Sequence, residues 1–429
     1  MIYHLFEWLK DYDIPGQGLM SYLSVRAILA FTTALLISII AGGKIIYWLQ
    51  KKQIGETIRD LGLEGQMEKK GTPTMGGIII FIAIVIPVLL FSNLTNIYTI
   101  LLTVTTVWFF LIGFADDYIK VFKKNKEGLS AKGKLMAQGA MALGIGLAVC
   151  FSSQIVVREN VETPVQEVTN STEGSEEVVA TTATHTVGQD MIKSTKTTIP
   201  FIKNHEFDYG WLSPFNGAWG WYAKWAIYVL MIVLVIVACS NGVNLTDGMD
   251  GLATGTSAIV GVVLGIFAWL GGNILDADYL NIMYIPGSGE VAVFMSAFVG
   301  ALIGFLWHNA YPARVFMGDT GSLMLGGIIG VAAILIRKEL LLPILCGIFF
   351  AESLSVMMQR AYFKYTKKKY GEGRRIFKMT PLHHHFQKEG IPCLFQSKSK
   401  AIPESRLVTR FWIIGIILAV ITIALLKIR

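Results

Sequence analysis

Long apolar runs recur along this chain and are separated by short polar stretches. Each run is about 20 residues long, which is the length that an α-helix needs to cross about 30 Å of hydrocarbon. The alternating segments of about ten residues that are typical of transmembrane β-barrel strands are absent from the sequence. Because an isolated segment satisfies its own backbone groups in lipid only as a helix, the pattern predicts an all-α, polytopic integral membrane protein.

We predict about ten transmembrane helices within a single domain that covers residues 1–429. The predicted spans are residues 22–48, 76–95, 97–115, 134–153, 223–240, 252–272, 290–308, 322–337, 339–362 and 407–427. Composition agrees with this prediction: 53% of the residues are hydrophobic, 16% are charged and the mean hydropathy is +0.54. These values lie outside the range of soluble globular domains.

Lysine and arginine set the predicted orientation, because their excess marks cytoplasmic loops. With ten spans, five loops share one side and hold about 22 basic residues, against about nine on the other side. We therefore place these loops in the cytoplasm and both termini outside. We expect the lipid bilayer and no nucleic acid as a partner. The five loops are residues 49–75, 116–133, 241–251, 309–321 and 363–406.

One extracytoplasmic insertion, residues 155–222, differs in composition from the rest of the chain. Its first part, residues 155–210, is rich in Ser, Thr, Val and Glu, and its last part, which continues into residues 207–225, is dense in aromatic residues. We expect the first part to be flexible or weakly β-structured. The last part is typical of a segment that lies in the membrane interface before a span. We assign no chemistry to the insertion.

Four polar stretches interrupt the apolar pattern, and the predicted topology places all of them at the cytoplasmic face. A lysine-rich loop, residues 120–134, lies beside the first of them and would attract anionic headgroups or a lipid phosphate. This arrangement predicts an enzyme that acts on a charged substrate at the bilayer surface. The stretches are GFADDYIK (113–120), NLTDGMDGLA (244–253), FMGDTGS (316–322) and TPLHHHF (380–386).

Asp116 and Asp117 follow the third predicted span, where a helix dipole disfavours carboxylates and a compensating positive charge is needed. If the helix continues, adjacent side chains point about 100° apart, so one carboxylate faces a ligand while the other supports it. In the second stretch, Asp247 and Asp250 are separated by glycine, and Asn244 suits recognition of a base or sugar. An ordinary capped turn with Asp250 as N-cap is the alternative.

Asp319 lies between Gly318 and Gly321, just before the eighth span. A carboxylate and free backbone N–H groups at a helix N-terminus suit Mg²⁺-bound phosphate, since Mg²⁺ takes few protein carboxylates. Capping of the helix again competes with this interpretation. The coincidence of three aspartate sites with a lysine-rich loop on one face favours the functional interpretation.

The remaining polar residues have weaker signals. Three consecutive histidines, 383–385, cannot all point one way, so phosphate contact or proton handling is favoured over zinc binding. KKGTPTMGG (69–77) could close over a nucleotide, although its spacing is not that of a Walker P-loop. Glu352 lies within the ninth span, where an ionisable group is usually partnered, and we interpret it as a supporting acid.

Six motifs in register resemble the phospho-N-acetylmuramoyl-pentapeptide transferase family, the MraY translocases. They are KGTPTMGG, GFADDYIK, GLSAKGK, NLTDGMDGLA, HNAYPARVFMGDTGS and TPLHHHF. The resemblance implies ten transmembrane helices, a homodimer, the bacterial inner membrane and a cytoplasmic active site. It also implies a Mg²⁺-dependent step of peptidoglycan synthesis. Phospho-MurNAc-pentapeptide passes from UDP-MurNAc-pentapeptide to undecaprenyl phosphate, giving lipid I and UMP.

The same resemblance implies residue roles. Asp116 resembles the acid that deprotonates the lipid phosphate, Asp117 is its partner, and Asp319 resembles the Mg²⁺ ligand. His384 is expected to join them as a catalytic residue, with His385 beside it near the sugar-peptide end. Phe316 is expected to stack on uracil. The other expected substrate-binding residues are Lys70, Thr74, Asn244, Asp247, Asp250 and Asn309 around the nucleotide, and Lys120, Lys124 and Lys132 around phosphate.

Two other functions stay open at this point. A UDP-GlcNAc polyprenyl-phosphate GlcNAc-1-phosphate transferase shares the aspartate motifs, although TPLHHHF favours the muramoyl-pentapeptide substrate. An ion-coupled transporter should place its polar groups near the bilayer midplane, whereas most of these groups lie at the ends of spans. For the reaction, direct displacement by the lipid phosphate is preferred over a covalent aspartyl-phosphate route. The long 155–222 insertion and residues 387–405 depart from the compact family pattern but interrupt no motif.

Overall fold

The structure is a computed structural model that describes residues 1–9, 12, 16–52, 71–123, 125, 127–162, 187–201, 206–395 and 400–427. The described residues are 73% helical, and the prediction of an all-α membrane protein is confirmed. The helices are α1 (Ile2–Leu9), α2 (Leu23–Lys51), α3 (Gly77–Phe91), α4 (Ile97–Phe122), α5 (Ala131–Phe151), α6 (Gly217–Thr246), α7 (Leu252–Gly271), α8 (Ile274–Leu280), α9 (Gly289–Asn309), α10 (Gly318–Leu335), α11 (Leu342–Leu345), α12 (Gly347–Tyr370), α13 (Leu382–Gln387) and α14 (Glu404–Leu425). Short 3₁₀ helices occupy Gln17–Ser21, Tyr209–Leu212 and Glu339–Leu341.

Each of the ten predicted spans corresponds to an apolar helix or helix pair in the part of the chain that is described. Eight helices are long and apolar enough to cross a bilayer: α2, α4, α5, α6, α7, α9, α10 and α14. The ninth predicted span is broken, because the segment Glu339–Leu345 meets α12 at an angle of 77°. The second predicted span, residues 76–95, corresponds to α3, which has 15 residues and at 1.5 Å per residue is shorter than the hydrocarbon layer.

Helix α10 lies at the centre of the bundle, and 89% of its apolar stretch is buried inside the protein. It packs against α3, α4, α6 and α7, while α9 packs against α2, α3 and α7. Glycines permit these close approaches, as expected between membrane helices. On α9, for example, a Cβ atom added to Gly300 would lie 2.3 Å from the carbonyl oxygen of Phe31 on α2. Because α10 is held by neighbours on several sides, its N-terminal turn is a rigid place for a functional side chain.

The described parts of the insertion form two antiparallel strand pairs. Strand β1 (Val157–Glu162) pairs with β2 (Val187–Ile192), and β3 (Lys196–Thr198) pairs with β4 (Glu206–Asp208). These strands agree with the expectation of weak β-structure for residues 155–210. Residues 163–186 and 202–205 lie outside the described part of the chain.

The insertion is anchored to the loop that follows α10. The N–H group of Thr198 donates to the carbonyl oxygen of Arg337 (3.1 Å), and Lys338 Nζ donates to Thr198 Oγ1 (2.7 Å). Tyr209 donates through its hydroxyl to Glu339 Oε1 (3.3 Å). The side chains of Lys338 and Glu339 are almost fully buried, so they depend on these contacts for hydrogen bonds, and the buried guanidinium of Arg337 donates to the hydroxyl of Tyr228.

Candidate active site

Three carboxylates meet where α4 approaches the start of α10. Asp116 and Asp117 are on α4, Asp319 is on α10, and one oxygen from each lies within 4.8 Å of the others. The predicted meeting of the GFADDYIK and FMGDTGS stretches is therefore confirmed. The sequence placed Asp116 and Asp117 at a helix end, but α4 continues to Phe122. A salt bridge from Lys120 to Asp116, one turn apart on α4, stabilises this last part of the helix (2.6 Å).

Asp117 is bonded to the backbone that begins α10. Its Oδ1 accepts from the N–H group of Asp319 (3.2 Å), and its Oδ2 accepts from both the N–H group (2.8 Å) and the hydroxyl (2.6 Å) of Thr320. The side chain is buried, and the helix N-terminus supplies the donors that an ionised carboxylate needs. Asp117 thus caps a helix other than its own and fixes the backbone of Asp319.

Two lysines supply the positive charge that the carboxylates require. The Nζ atoms of Lys120 and Lys134 lie 2.6 Å and 2.8 Å from Asp116 Oδ2, and 3.0 Å and 2.8 Å from Asp319 Oδ2. Oδ1 of Asp116 points elsewhere and accepts from the N–H group of Leu129 (2.7 Å). Both lysines therefore bridge the two helices at the point where Asp116 and Asp319 face one another.

Lys134 was not among the lysines expected at the phosphate, whereas Lys132 was. Lys132 is exposed, because it lies two residues earlier on α5 and points about 200° away around the helix. The sequence contains a signal for where α5 begins. Ser130 is the N-cap of α5, and its side chain accepts from the N–H group of Gly133 (3.1 Å). Recognising the cap would have shown that both lysines lie on one helix and point about 200° apart, whereas the choice of Lys134 depends on how α5 packs.

Glycines allow α3 and α4 to approach the first turn of α10. A Cβ atom added to Gly113 would lie 2.1 Å from the carbonyl oxygen of Asp319, and one added to Gly77 would lie 2.3 Å from the Gly321 nitrogen. Gly318 has a φ of 72°, and a Cβ atom there would lie 2.5 Å from Asp117 Oδ2 and 3.0 Å from Thr74 Oγ1. Thr74 is buried and so belongs to the same packed region.

Residues of the KKGTPTMGG motif bond to the chain that leads into α10. The N–H groups of Gly76 and Gly77 donate to the carbonyl oxygens of Phe316 (2.8 Å) and Met317 (3.0 Å), and the N–H group of Phe316 donates to the carbonyl oxygen of Pro73 (2.8 Å). The described part of the motif, residues 71–77, is thus a fixed support. The prediction that it closes over a nucleotide involves Lys70, which lies outside the described residues.

Asn244 brings the NLTDGMDGLA stretch to the carboxylates. Its amide Nδ2 donates to Asp319 Oδ1 (2.8 Å) and to the hydroxyl of Ser322 (2.9 Å). Asp117 fixes the backbone of Asp319, and the hydrogen bond from Asn244 orients the Asp319 side chain. Asn244 was predicted to recognise a base or sugar, and in the structure it contacts the carboxylate expected to bind metal.

Asp250 and Asn309 support the loop that carries Phe316. Oδ2 of Asp250 accepts from the N–H group of Ala313 (3.0 Å), and Nδ2 of Asn309 donates to the carbonyl oxygen of Val315 (2.9 Å). The alternative of Asp250 as N-cap is wrong, because Gly251 is the N-cap of α7. The positive φ of 77° at that position favours glycine.

The three histidines of TPLHHHF point in three directions from the short helix α13. His383 is fully buried, with Nδ1 3.2 Å from Oε2 of Glu352, and this contact agrees with a supporting role for that acid. His384 Nδ1 lies 2.9 Å from Gln387 Oε1. His385 Nδ1 accepts from the N–H group of Lys378 (3.0 Å). Burial and the nearby Lys378 ammonium lower the pKa of His385, which favours the neutral ring that this hydrogen bond requires.

Helix α13, the histidine helix, lies against the NLTDGMDGLA stretch, since a Cβ atom added to Gly248 would lie 2.3 Å from His383 Nε2. All four polar stretches therefore meet at one end of the bundle. The structure places Asp247 at the C-cap of α6, in the same turn as Gly248. Lys124, expected near phosphate, lies outside the described residues.

The chain matches two family models. Residues 99–337 match the model described as glycosyl transferase family 4, and residues 69–81 match signature 1 of phospho-N-acetylmuramoyl-pentapeptide-transferase. The first match begins in α4, ends after α10 and contains all three aspartates of the cluster.

Curated relatives cover the chain from end to end. A phospho-N-acetylmuramoyl-pentapeptide-transferase of Parabacteroides distasonis is 57% identical over 100% of both chains. Proteins of the same name from Azobacteroides pseudotrichonymphae and Flavobacterium psychrophilum are 56% and 52% identical, also over 100% of both chains. The relatives are therefore long enough to include the 155–222 insertion. The chain belongs to glycosyl transferase family 4 and, within it, to the phospho-N-acetylmuramoyl-pentapeptide-transferases.

Proposed function

We propose that this protein transfers phospho-MurNAc-pentapeptide from UDP-MurNAc-pentapeptide to undecaprenyl phosphate, giving lipid I and UMP for peptidoglycan synthesis. The single observation that carries the proposal is the cluster of Asp116, Asp117 and Asp319 with two bridging lysines, in a chain that is similar over its whole length to transferases of that name. Such a reaction brings several phosphate charges together, so positioning and neutralising charge are its main requirements.

The residues of the cluster fit a Mg²⁺ ion. Oxygen atoms from three carboxylates are close enough to share one cation, and oxygen ligands are those that Mg²⁺ prefers. Asp117 already accepts three hydrogen bonds from α10, so Asp319, which faces the bridging lysines, is the better ligand. Mg²⁺, when bound there, would neutralise phosphate oxygens and increase the electrophilicity of the phosphorus.

The chain's own side chains suit direct displacement. An oxygen of the lipid phosphate forms a bond to the β-phosphorus of the nucleotide sugar, the bond from that phosphorus to the bridging oxygen breaks, and UMP leaves with that oxygen. Lys120 and Lys134 would hold the phosphate groups, and Asp116 would orient the attacking phosphate or accept its proton. Asp117 is a poor nucleophile in a covalent route, since its oxygens are engaged by the α10 N-terminus.

The nucleotide and peptide ends of the substrate are assigned to different stretches. Phe316 lies on a loop held by Asp250 and Asn309, and its ring is partly exposed, which supports stacking on the uracil base. Asp247 and Thr74 would complete the nucleotide pocket. His384 and His385 lie on the histidine helix beside Gly248, which supports contact with the sugar-peptide end.

We also propose that the active site faces the cytoplasm of a bacterial inner membrane and that the protein is a homodimer. The excess of lysine and arginine in the loops at the aspartate end supports this orientation. The bilayer itself is supported by the apolar helices.

The experiment that tests the function uses purified full-length protein with polyprenyl phosphate and either UDP-MurNAc-pentapeptide or UDP-GlcNAc. UMP release is measured with Mg²⁺ and with EDTA. We expect release only with the muramoyl substrate and Mg²⁺. UMP release with UDP-GlcNAc but not with UDP-MurNAc-pentapeptide would contradict the proposed substrate. Full activity in EDTA would contradict the proposed metal.

A phosphosugar adduct on the protein is sought in a single turnover without lipid acceptor. Its detection would contradict direct displacement, whereas UMP release that requires the acceptor agrees with it.

A further inference from the structure

Lys134 reaches the carboxylate cluster from α5, a helix at the edge of the bundle. Only 33% of the apolar stretch of α5 is buried inside the protein, against 89% for α10, which carries Asp319. Lipid tails are as apolar as the side chains that pack between membrane helices, so apolar packing alone gives a peripheral helix little preference for one rotation about its axis. A directional contact is therefore needed to keep Lys134 pointed at the cluster.

The rotation of α5 matters because the lysine side chain is long. Its ammonium lies roughly 6–8 Å from the helix axis, so a rotation by about 20° displaces the ammonium by roughly 2–3 Å. In the structure Lys134 Nζ lies 2.8 Å from Oδ2 of Asp116 and 2.8 Å from Oδ2 of Asp319. Such a displacement is enough to break at least one of the two salt bridges.

Gln138 supplies a directional contact one turn after Lys134. Its Oε1 accepts from Nδ2 of Asn241 on α6 (2.8 Å), and the same Nδ2 donates to the carbonyl oxygen of Val237, which orients the Asn241 side chain. Gln138 is fully buried and is the one polar member of the buried face of α5. The other members are Met141, Ala142, Ile145, Gly146 and Val149.

The stability of the fold does not explain this buried amide. Nε2 of Gln138 has no hydrogen-bond partner within the described chain, so the contact to Asn241 satisfies only part of the side chain. A buried polar group that is only partly hydrogen-bonded does not favour folding over an apolar side chain of the same size. The contact is better explained by what it does to the orientation of α5.

A second hydrogen bond holds α5 from another side at the same level. Nε1 of Trp108 on α4 donates to the carbonyl oxygen of Ala137 (3.0 Å). Ala137 and Gln138 are adjacent, so α5 is bonded to both α4 and α6 just one turn beyond Lys134. Two directional contacts from different helices fix the rotation of α5.

Helix α6 connects the Gln138 contact to the opposite partner of the lysine. Asn244, one turn after Asn241, donates to Asp319 Oδ1 (2.8 Å), and the hydroxyl of Ser240 donates to the carbonyl oxygen of Leu323 on α10 (3.1 Å). One helix therefore holds α10 through two side chains and α5 through a third. Asp319 and the ammonium that faces it are positioned relative to one another through α6 as well as by their own salt bridge.

We infer that Gln138 is a positioning residue for the proposed transfer reaction and acts through Lys134 without touching substrate. Its hydrogen bond to Asn241 sets the rotation of α5, and that rotation places the Lys134 ammonium between the carboxylates of α4 and α10. The inference rests on the proposed function, in which this lysine holds substrate phosphate.

The test compares two variants of Gln138 that lose the contact in different ways. Gln138→Met keeps the size of the side chain and removes the amide, whereas Gln138→Asn keeps the amide and shortens its reach. The matched control is Met141→Leu, a volume-conserving change on the same buried face of α5. UMP release by the full-length protein gives kcat and the KM for UDP-MurNAc-pentapeptide, and thermal unfolding checks the fold.

We expect kcat to fall by about tenfold in both Gln138 variants, because a small displacement of a group that holds substrate is costly. The KM should stay within about twofold of wild type, since the nucleotide is assigned to other helices. In a Lys134→Met background, Gln138→Met should cause no further loss, because its effect passes through that lysine. The control should keep wild-type kcat, and Gln138→Met should keep the wild-type melting temperature.

Labelling of lysines by a water-soluble amine reagent, located by mass spectrometry, gives a readout that does not depend on turnover. Lys134 is covered by its two carboxylate partners, and the exposed Lys132 is an internal reference on the same helix. Gln138→Met should increase the labelling of Lys134 relative to Lys132 by severalfold, whereas Met141→Leu should leave the ratio unchanged.

Wild-type kcat in both Gln138 variants would overturn the inference, as would an equal loss in Met141→Leu. So would a further tenfold loss from Gln138→Met in the Lys134→Met background. A loss of turnover that accompanies a lower melting temperature and leaves the labelling ratio unchanged would make Gln138 a structural residue only. A wild-type protein that releases no UMP contradicts the proposed function instead, and the labelling ratio then decides whether Gln138 positions Lys134.

Discussion

Asp117 on α4 is bonded through one carboxylate oxygen to both the backbone N–H group and the hydroxyl of Thr320 on α10. The other oxygen accepts from the N–H group of Asp319. Asp117 and Thr320 need not touch a substrate for this contact to matter, because the contact fixes the position of Asp319. Asp117 is therefore best described as a positioning residue, and its effect on the reaction passes through the start of α10.

This role predicts a graded response to substitution. Asp117→Asn places an amide NH₂ against backbone donors, and an unsatisfied buried donor costs about 1–3 kcal/mol. We expect UMP release to fall by about 100-fold and the apparent affinity for Mg²⁺ to weaken. Thr320→Val removes only the hydroxyl contact and should cost about tenfold, while Thr320→Ser should restore most activity. Kinetics at varied Mg²⁺ test this series. A Thr320→Val enzyme as impaired as Asp117→Asn would contradict it.

The two bridging lysines give a second prediction with a control on the same helix. Lys134→Met should lower turnover by about 100-fold, because it removes a cation shared by Asp116 and Asp319 in a partly buried site. Lys132→Met changes the same residue type two positions away at the exposed surface and should stay within about twofold of wild type. Steady-state UMP release measures both. A larger loss for Lys132 would show that the sequence-based expectation was right and the bridging assignment was wrong.

The metal assignment predicts different effects for Asp319 and Asn244. Asp319→Asn should fold but turn over negligibly, since the main proposed ligand is lost. Asn244→Ala removes the hydrogen bond that orients Asp319 Oδ1, so the half-saturating Mg²⁺ concentration should rise by about tenfold while activity at high Mg²⁺ recovers. Folding is checked by size-exclusion chromatography and thermal unfolding. Near-normal turnover in Asp319→Asn would remove the metal assignment.

Close backbone packing predicts that one added methyl group is enough to inactivate the protein. In Gly113→Ala the new Cβ atom would lie 2.1 Å from the carbonyl oxygen of Asp319, so α10 or α4 must shift. We expect turnover to fall by at least about 100-fold and the melting temperature to drop. Gly139→Ala on α5 is the control, because that position has open space and alanine favours helix by about 1 kcal/mol. Lower turnover in Gly139→Ala alone, or unchanged turnover in both variants, would contradict the packing argument.

Much of the fold could be predicted because the physical signal is local. Apolar runs locate the helices and the helix pair that correspond to the ten predicted spans, and aspartates beside glycines or near a helix end locate three of the stretches that meet. The break before α12 was missed, although Pro343 and Gly347 stand near it within the mostly apolar residues 339–362. The cross-helix cap from Asp117 to α10 was missed for a different reason. It depends on which helices are neighbours, and spacing along one helix does not contain that information.

The sequence-based roles of Asp250 and Asn309 show the same limit. Both were expected to contact the nucleoside, and the structure shows each bonded to the backbone of the loop before α10. A polar residue beside a functional loop has the same sequence signature whether it binds the ligand or supports the loop. The hydrogen bonds show the supporting contacts, and the expected contact of both residues with the nucleoside stays a prediction.

Lys338, which anchors the outer insertion, gives a prediction about pH. Burial lowers its pKa from 10.5 to about 8. Between these values the unfolded chain binds the proton more often than the folded one, so stability rises as the pH increases from about 8 to 10.5. Lys338→Met removes this titration and keeps all others. We expect the melting temperature of the wild type to rise by several degrees relative to the variant between about pH 7.5 and 9.5, measured in the same detergent. A melting-temperature difference that stays constant across this range would contradict a buried lysine with a lowered pKa. The variant Thr198→Val keeps Lys338 and removes its hydrogen-bond partner. If the pH-dependent rise in melting temperature is lost in Thr198→Val, the rise is due to the Thr198 contact rather than to burial.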